Sequence, residues 1–286
     1  YFSINGGDHW IKLKGNVPII SFRDLAIQKR ETDLIGASFG RSFYIFDDYS
    51  VLRELSEKQM KAEGTLFSVR KAWWYIPRSH LGFGDRPKGT QGHSHFTAPN
   101  PPFGAVFTYH LSSDLQSKQE MRKAKEKNND VDFPGWDVVE AERRELDPKI
   151  LLVVKNSNGN VIRRINAPGK KGFHRVSWDL RYPSPMAVRL GENNNQMPGF
   201  MVAPGTFSVA MYKQVDGETT QLSGSQEFQV VQLYEGALAT DSPKQVAKFW
   251  RKFENVTRRG SAVQIALDNA LNRVESMRTA LAQSKA

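Results

Sequence analysis

Residues 150–165 read ILLVVKNSNGNVIRRI, and this stretch decides the fold class. Two apolar runs, 150–154 and 161–165, flank the polar sequence Asn-Ser-Asn-Gly at 156–159. Asn and Gly accept the positive φ that a tight hairpin turn requires. The stretch therefore predicts a β-hairpin and indicates that this region is built from antiparallel strands.

More strands are predicted on both sides of this hairpin. Apolar runs alternate with turn-rich segments at 181–204 and 216–225, at a spacing typical of hairpins. A charged segment with helical character, residues 112–147, interrupts the series. These features predict a β-sandwich over residues 98–234 with one helical insertion. Its further strands are expected at 103–111, 173–180, 205–213 and 226–231.

The first 50 residues predict a smaller set of short strands. Apolar runs with polar residues between them are typical of a meander, and they occur at 22–27, 34–39 and 43–46. Residues 51–97 are expected to form a linker. The linker is predicted to hold one short helix at 51–64, an aromatic extended segment at 65–76 and then a His-rich loop.

The C-terminal segment, residues 235–286, is predicted to be helical. Ser242 is a suitable N-cap and Pro243 a suitable first helical residue. Apolar residues then recur at helical spacing up to Gly260 and beyond it. We expect a helix pair, or one helix broken at Gly260. Its apolar stripe would be buried either on the sandwich or on a partner.

Composition excludes several kinds of site. The 286 residues contain no Cys, so disulfides, thiolate metal sites and Cys nucleophiles are excluded. No apolar run reaches the roughly 18 residues of a membrane-spanning helix, so no membrane span is predicted. The net charge of +10 suits an anionic partner. However, residues 112–147 carry both signs of charge, which indicates a solvated surface, and no nucleic-acid partner is predicted.

A turn motif lies at the start of the chain. Ser3, Asn5, Gly7 and Trp10 fit the pattern S-x-D/N-x-G-x-x-W. We expect the side chains of Ser3 and Asn5 to hydrogen-bond backbone groups of a tight turn. Gly7 would then accept a positive φ, and Trp10 would pack the turn against its hairpin. The motif resembles the Asp-box of bacterial-neuraminidase-type repeats, with Asn5 in place of the usual Asp.

The next stretch extends this resemblance. The sequences RDLAI at 23–27 and LIGASFGRSFYIFDD at 34–48 resemble the final blade of large secreted β-propeller proteins, the BNR-repeat or sortilin-like glycosyl hydrolases. In that family one strand ends in Gly-Arg-Gly, and Ser42 departs from the second Gly. The resemblance implies that residues 1–50 are the last one and a half blades of a propeller. It also implies an exported bacterial protein, located in the periplasm or at the cell surface.

A second resemblance covers the predicted sandwich. The sequences APNPPFGA at 98–105, GFHRVSWDLRY at 172–182 and APGTF at 203–207 are similar to an Ig-like module of the flagellar hook-capping type. This similarity implies that Trp178 fills the centre of an Ig-like sandwich. It also implies that Asp179 ties the end of its strand.

A propeller needs more blades than residues 1–50 supply. One blade takes about 40–50 residues, and a closed ring needs at least about four blades. An incomplete propeller would leave strand edges and apolar faces open. We therefore expect the remaining blades, on the same chain or on a cleaved upstream chain, to be partners of this region. Another protein or a larger assembly is also expected as a partner.

Carboxylates are the candidate catalytic groups. Glycoside hydrolysis generally needs two of them, about 5–10 Å apart. In a propeller such residues more commonly cap turns and strand ends, and Arg23 and Arg41 are too few for the arginine triad of a sialidase. The candidates by location are Asp24, Asp33, Asp47 and Asp48.

Histidines are the candidate metal ligands. His93 and His95 are two residues apart, with His80 nearby, and imidazoles at this spacing can share a metal. No carboxylate lies within 91–97, so we predict no metal site and no cofactor. His174 is expected to be a half-exposed strand residue rather than a catalytic base.

Two hypotheses about function follow. The favoured one is a binding or scaffolding module at the cell surface or in the periplasm, because the sequence shows no convergent catalytic set. The alternative is a glycoside hydrolase whose active site lies largely in the missing blades. Fold resemblance alone does not decide between them, because propellers host many activities.

Overall fold

The computed structural model describes residues 1–13, 15, 19–40, 42–77, 98–127, 133–188, 197–235 and 241–284. Eleven strands in three sheets form the frame of the described residues, with helical additions, which agrees with the predicted all-β class at that level. In chain order the elements are β1 (Phe22–Gln28), β2 (Asp33–Ser38), β3 (Phe43–Phe46), α1 (Ser50–Glu54), α2 (Glu57–Lys61), β4 (Gly64–Leu66), β5 (Ala72–Trp74), β6 (Ala105–Leu111), α3 (Lys118–Glu126), α4 (Trp136–Arg144), β7 (Lys149–Asn156), β8 (Val161–Ala167), β9 (Gly172–Trp178), β10 (Gly205–Val215), β11 (Glu218–Gln232) and α5 (Pro243–Gln283).

The strands form three sheets. A small sheet has the order β1-β2-β3, and all its pairs are antiparallel. A five-stranded sheet, β5-β11-β10-β7-β8, and a three-stranded sheet, β4-β6-β9, enclose one hydrophobic core. We call these two sheets together the two-sheet body. The six strands that the sequence predicts between residues 103 and 231 correspond to β6 through β11.

The hairpin that opens the sequence analysis is confirmed. Strands β7 and β8 pair in antiparallel register, and Gly159 in the turn has φ +78°. The Asn156 side chain closes the turn by accepting hydrogen bonds from the backbone N–H groups of Asn158 (3.1 Å) and Asn160 (2.9 Å). An Asn side chain that bonds its own turn in this way mimics a backbone turn and fixes the register of the two strands.

Strand β11 begins earlier than predicted. Residues 216–225 are predicted to be turn-rich, but β11 starts at Glu218 and pairs with β10 from the Val215–Glu218 position onward. The turn is only Asp216-Gly217, and both residues have positive φ, +51° and +80°. This is the two-residue turn that matches the twist of a hairpin, and Asp-Gly is one of its preferred sequences.

The segment between residues 51 and 76 also differs from expectation. The single predicted helix is two short helices, α1 and α2, since the backbone is extended at Leu55 and at the N-cap Ser56. The aromatic segment that follows forms two separate strands. Strand β4 pairs with β6 and β5 pairs with β11, so residues expected in a linker contribute to both sheets of the two-sheet body.

Trp178 lies at the centre of the core, with 1% of its surface exposed. It is the last residue of β9, and its ring packs edge-on against Phe207 (5.4 Å between centroids) and Phe228 (6.3 Å). The indole Nε1–H donates to the carbonyl of Arg181 (2.9 Å). Asp179, directly after the strand, accepts the N–H of Arg181 at 3.2 Å and so closes the turn beyond β9.

The charged insertion is helical, as predicted, and consists of α3 and α4. The two helices are joined by Arg122, whose guanidinium donates two hydrogen bonds to the Glu142 carboxylate (2.7 and 2.8 Å). Such paired, charge-assisted bonds are among the stronger polar contacts in proteins. Arg122 holds the pKa of Glu142 below its usual range.

Helix α5 is continuous, so the predicted helix pair is wrong. It runs through Gly260 because one Gly in an exposed helix interior costs only about 1 kcal/mol, which the flanking helical residues offset. Its start is fixed by a capping box between Ser242 and Gln245. Its first turns contact the two-sheet body, where Trp250 stacks on Phe200 with 4.3 Å between ring centroids.

No helix within the described ranges combines the length and the hydropathy that crossing a lipid bilayer requires.

The buried His110 on β6 predicts a pH-dependent stability. Burial, and then the nearby His174 and Lys171, lower the pKa of His110 below its usual 6.5. The folded state therefore binds fewer protons than the unfolded state once the pH falls below about 6.5, and acid favours unfolding. We expect the melting temperature of the wild type to fall more steeply between about pH 7.5 and 5.5 than that of His110→Gln.

The matched control for this prediction is His9→Gln, because His9 is exposed. That variant should keep the wild-type pH profile in thermal denaturation followed by circular dichroism. Parallel profiles of the wild type and His110→Gln would contradict the prediction.

Candidate functional site

The N-terminal turn has the hydrogen bonds that its motif predicts. Ser3 Oγ accepts the N–H of Gly7 (2.9 Å), and Asn5 Oδ1 accepts the N–H of His9 (3.0 Å). Gly7 has φ +108°, in the region that favours glycine. The turn is closed by backbone hydrogen bonds in both directions between Phe2 and Ile11 (2.9 and 2.8 Å).

Trp10 does not pack as predicted. Its side chain is 64% exposed, although we expected it to hold the turn against a hairpin. The reason is the size of the element: the Phe2–Ile11 pairing is an isolated bridge, and no strand in the described part of the chain pairs with it. Within the described ranges, the Trp10 indole therefore has no neighbouring paired strand against which it could pack.

The candidate carboxylates are in three different settings. Asp24 is exposed on β1, and its Oδ1 accepts the N–H of the next residue, Leu25 (2.8 Å). Asp47 is half-buried, just after β3. Asp48 is almost completely buried and has an unusual backbone for a non-glycine residue, with φ +50°. The structure therefore does not present the three as one catalytic group.

Asp48 belongs to a cluster of charges between the small sheet and the two-sheet body. Its Oδ2 lies 3.9 Å from Nε of Arg70 and 3.8 Å from Nη2 of Arg175, while its Oδ1 accepts the hydroxyl of Ser50 (2.5 Å). Asp33 joins the cluster by accepting the N–H of Asp48 (2.9 Å). We call these residues, together with Glu31, the Asp48 cluster.

Arg70 is the centre of the Asp48 cluster. It lies between β4 and β5, and its Nη1 donates to the backbone carbonyl of Glu31 in the β1–β2 turn (2.7 Å). The Glu31 carboxylate accepts the indole N–H of Trp73 on β5 (2.9 Å). The cluster thus ties the turns at one end of the small sheet to strands of the two-sheet body. Both carboxylate oxygens of Asp48 have partners: Oδ2 lies beside Arg70 and Arg175, and Oδ1 accepts a hydrogen bond from Ser50. These contacts give Asp48 a structural role.

Asp33 and Asp48 are candidate site residues from the sequence alone, whereas the sequence does not mark Glu31, Arg70 and Arg175 as members of the same cluster. The partners are far apart in the chain: Arg175 reaches Asp48 across 127 positions. No local pattern marks such a pair, since only the tertiary fold brings the segment after β3 beside Arg175 on β9.

An apolar groove adjoins the Asp48 cluster. It has a volume of about 700 Å³ and lies between the N-terminal turn, helices α1 and α2, and strands β6 and β9. Its lining is mostly aliphatic and aromatic, whereas Asp48 and Arg175 supply charge. The lining includes Phe2 and Ile11 from the N-terminal turn, Leu52 from α1, Met60 from α2 and Phe173 from β9.

The small sheet is apolar on both faces. Residues that alternate along a strand point to opposite faces, so the register assigns each side chain to a face. The face that carries Tyr44, named the Tyr44 face, consists of Phe22, Leu25, Ile27, Leu34, Tyr44 and Phe46. The opposite face, named the Ile45 face, carries Ala26, Ile35, Ala37, Phe43 and Ile45, and the polar residues Asp24, Gln28 and Asp33 lie on the same face.

Both faces are largely open. Leu25 on the Tyr44 face is 63% exposed, and Phe43 on the Ile45 face is 73% exposed. A sheet with one solvated face normally alternates apolar and polar residues, whereas a sheet buried on both sides does not. Strand β3, Phe-Tyr-Ile-Phe at 43–46, shows no such alternation, and large apolar side chains are exposed on both faces of the small sheet.

The candidate metal ligands fall outside the part of the chain that the structure describes. His93, His95 and His80 lie outside the described residues, as does Arg41. Among the residues that the structure describes, no group of three or more His, Asp or Glu could hold a metal ion. His174 is half-buried on β9, and its Nε2 is 2.5 Å from the carbonyl oxygen of Lys170.

No protein-family model matches this chain, and no curated protein is significantly similar to it.

Proposed function

We propose that this chain is a binding and scaffolding module whose small sheet is the end of a β-propeller, docked between further blades on the same or a cleaved upstream chain. The two-sheet body, an Ig-like sandwich in this proposal, carries the propeller end. The protein would act at the cell surface or in the periplasm of a bacterium. The observation that carries the proposal is the apolar character of both open faces of the small sheet.

The energetics support a covering partner. Fully burying one large apolar side chain contributes about 1.5–3 kcal/mol. Leu25, Ile27, Phe43 and Ile45 are each more than half exposed. Covering them would together contribute an amount that is comparable with the ~5–15 kcal/mol stability of a typical domain.

Blades fit this surface better than a single helix would. The small sheet offers two opposite apolar faces, and neighbouring blades in a propeller cover a sheet from both sides at once. The hydrogen bonds of Ser3 and Asn5 in the N-terminal turn agree with the Asp-box that such blades contain.

Glycoside hydrolysis has less support among the described residues. Asp48, the best-buried candidate, is held by Ser50, Arg70 and Arg175. Asp24 is on the exposed surface of an edge strand. No described observation pairs either with a second carboxylate across a cleft.

The proposal is tested on the 286-residue chain with a hydrophobic dye and sedimentation velocity. We expect the wild type to bind the dye and to self-associate. The double variant Phe43→Thr, Ile45→Thr should reduce both without lowering the melting temperature, since Thr suits a strand. The control is Val161→Thr on β8, where the side chain is also exposed but isolated from the small sheet.

Two outcomes would overturn the proposal. One is a double variant that binds dye and self-associates as the wild type does. The other is hydrogen-exchange protection of β1 to β3 as strong as that of β7 in a monomeric chain, because a complete sheet needs no covering blades.

A further inference from the structure

Helix α5 carries an uninterrupted heptad pattern. Small or apolar residues alternate at spacings of three and four along the whole helix, which is the signature of a coiled-coil seam. We call this set the α5 seam. Its a positions are Val246, Phe253, Gly260, Leu267, Val274 and Leu281, and its d positions are Phe249, Val256, Val263, Ala270 and Met277.

Beyond Phe253, whose ring lies edge-on to Phe200 (6.3 Å between centroids), the α5 seam is not the face that contacts the rest of the chain. The more buried residues of the helix are on a neighbouring face, at Ala247, Trp250, Glu254, Thr257 and Ser261. That face is partly polar, and Glu254 on it is buried beside Arg251. The helix therefore packs on its own chain through a mixed face and leaves its most apolar face outward.

From Val256 onward the α5 seam is open to solvent. Val256 is 67% exposed, Val263 68% and Leu281 75%. Three to four heptads are enough to identify a coiled coil, and the seam exceeds that length. At 1.5 Å per residue, the 41 residues of α5 span about 60 Å, so the seam is a long and straight docking surface.

The flanks of the seam are positively charged. In a two-stranded coiled coil, the e and g positions beside the seam decide which partner binds. The charged residues at these positions of α5 are Lys252, Arg259 and Arg273 at g and Arg278 at e, and Arg278 also pairs with Glu275 on its own helix (2.8 Å). No Asp or Glu occupies an e or g position between residues 243 and 283.

This charge pattern selects the partner. A second copy of α5 would bring only cations and neutral residues to face these cations, and like charges across an interface disfavour association. A helix with Asp or Glu beside its own apolar seam would instead place opposite charges across the interface.

We propose that α5 is one strand of a heteromeric coiled coil, and that its partner is an amphipathic helix with an apolar heptad seam flanked by acidic residues. The α5 seam is separate from the small sheet, so this inference goes beyond the proposed function and does not depend on the missing blades.

The test uses two synthetic helical peptides, each with Leu at every a and d position. The acidic peptide has Glu at e and g, and the basic peptide has Lys there. Binding to the 286-residue chain is measured by fluorescence anisotropy, in the Phe43→Thr, Ile45→Thr background so that association through the small sheet does not contribute. We expect the acidic peptide to bind, and to bind more weakly as salt is raised. The basic peptide should bind at least roughly tenfold more weakly.

A matched pair of variants locates the interface. Val274→Glu places a charge in the seam and should weaken binding of the acidic peptide more than roughly tenfold, because a buried unpaired charge is costly. Asn272→Glu adds the same charge at an exposed position on the far side of the helix and should leave binding nearly unchanged. Circular dichroism confirms that both variants keep the helix.

A charge exchange tests the specificity directly. The triple variant Lys252→Glu, Arg259→Glu, Arg273→Glu should lose the acidic peptide and gain the basic one. Equal binding of both peptides to the wild type would overturn the proposed acidic partner, and so would binding of neither. A dimer of the chain that Val274→Glu abolishes and Asn272→Glu preserves would show that a second copy occupies the seam, which also overturns the proposal.

Discussion

Replacing Trp178 with Ala should lower the free energy of unfolding by about 3–5 kcal/mol, the range found for large aromatic truncations in cores. Trp178 is buried at the end of β9, where it contacts Phe207 and Phe228 from the opposite sheet. Removing the indole leaves a cavity between the sheets and deprives the Arg181 carbonyl of its donor. Urea denaturation followed by fluorescence and circular dichroism measures the change.

Trp136→Ala is the matched control for that substitution. Trp136 begins α4 and is largely exposed, so its loss should change stability by less than about 1 kcal/mol. If the two variants lost similar stability, Trp178 would not be the centre of the core.

Gly104→Ala should be nearly as damaging, with a loss of about 2–5 kcal/mol. Gly104 has φ +102°, a conformation that strains any residue with a side chain. A Cβ there would also overlap the backbone carbonyl oxygen of Trp178, which a rotamer change cannot relieve. The added carbon must therefore displace the end of β9, and overpacking of a core costs about 1–3 kcal/mol on its own.

Gly205→Ala is the control that shows whether the stability loss of Gly104→Ala comes from the position of Gly104 or from the loss of any glycine. Gly205 starts β10 with no positive φ, and an added Cβ there meets nothing within 4 Å. Its substitution should be neutral or slightly stabilising, since Ala restricts the unfolded chain. Equal unfolding midpoints for Gly104→Ala and the wild type would contradict the steric argument.

Local signals in the sequence account for much of the fold. The turn at Asn156 to Asn160 and the Ser242 cap depend on residues within a few positions of each other, and both are observed. The charged segment 112–147 is also predicted to be helical, and the structure has the helices α3 and α4 there. Such features need no knowledge of the rest of the chain.

Errors arise where a local signal competes with packing. The sequence predicts a break in the helix at Gly260. One Gly destabilises a helix by only about 1 kcal/mol, and the other residues of the 41-residue helix offset this loss. Trp10 was expected to be packed, yet the surface for it is missing from the described chain. The Asp48 cluster depends on tertiary contacts, so its arginines could not be found from spacing.

The Asp48 cluster has a consequence for how tightly the small sheet could hold a partner. A docking element on a loose tether must give up rotational and backbone freedom when it binds, and this loss weakens the complex. Here Arg70 and Arg175 already hold the end of the small sheet against the two-sheet body. The entropy of orienting the sheet is therefore lost during folding, and a partner that docks on this sheet would meet a surface that is preorganised for association.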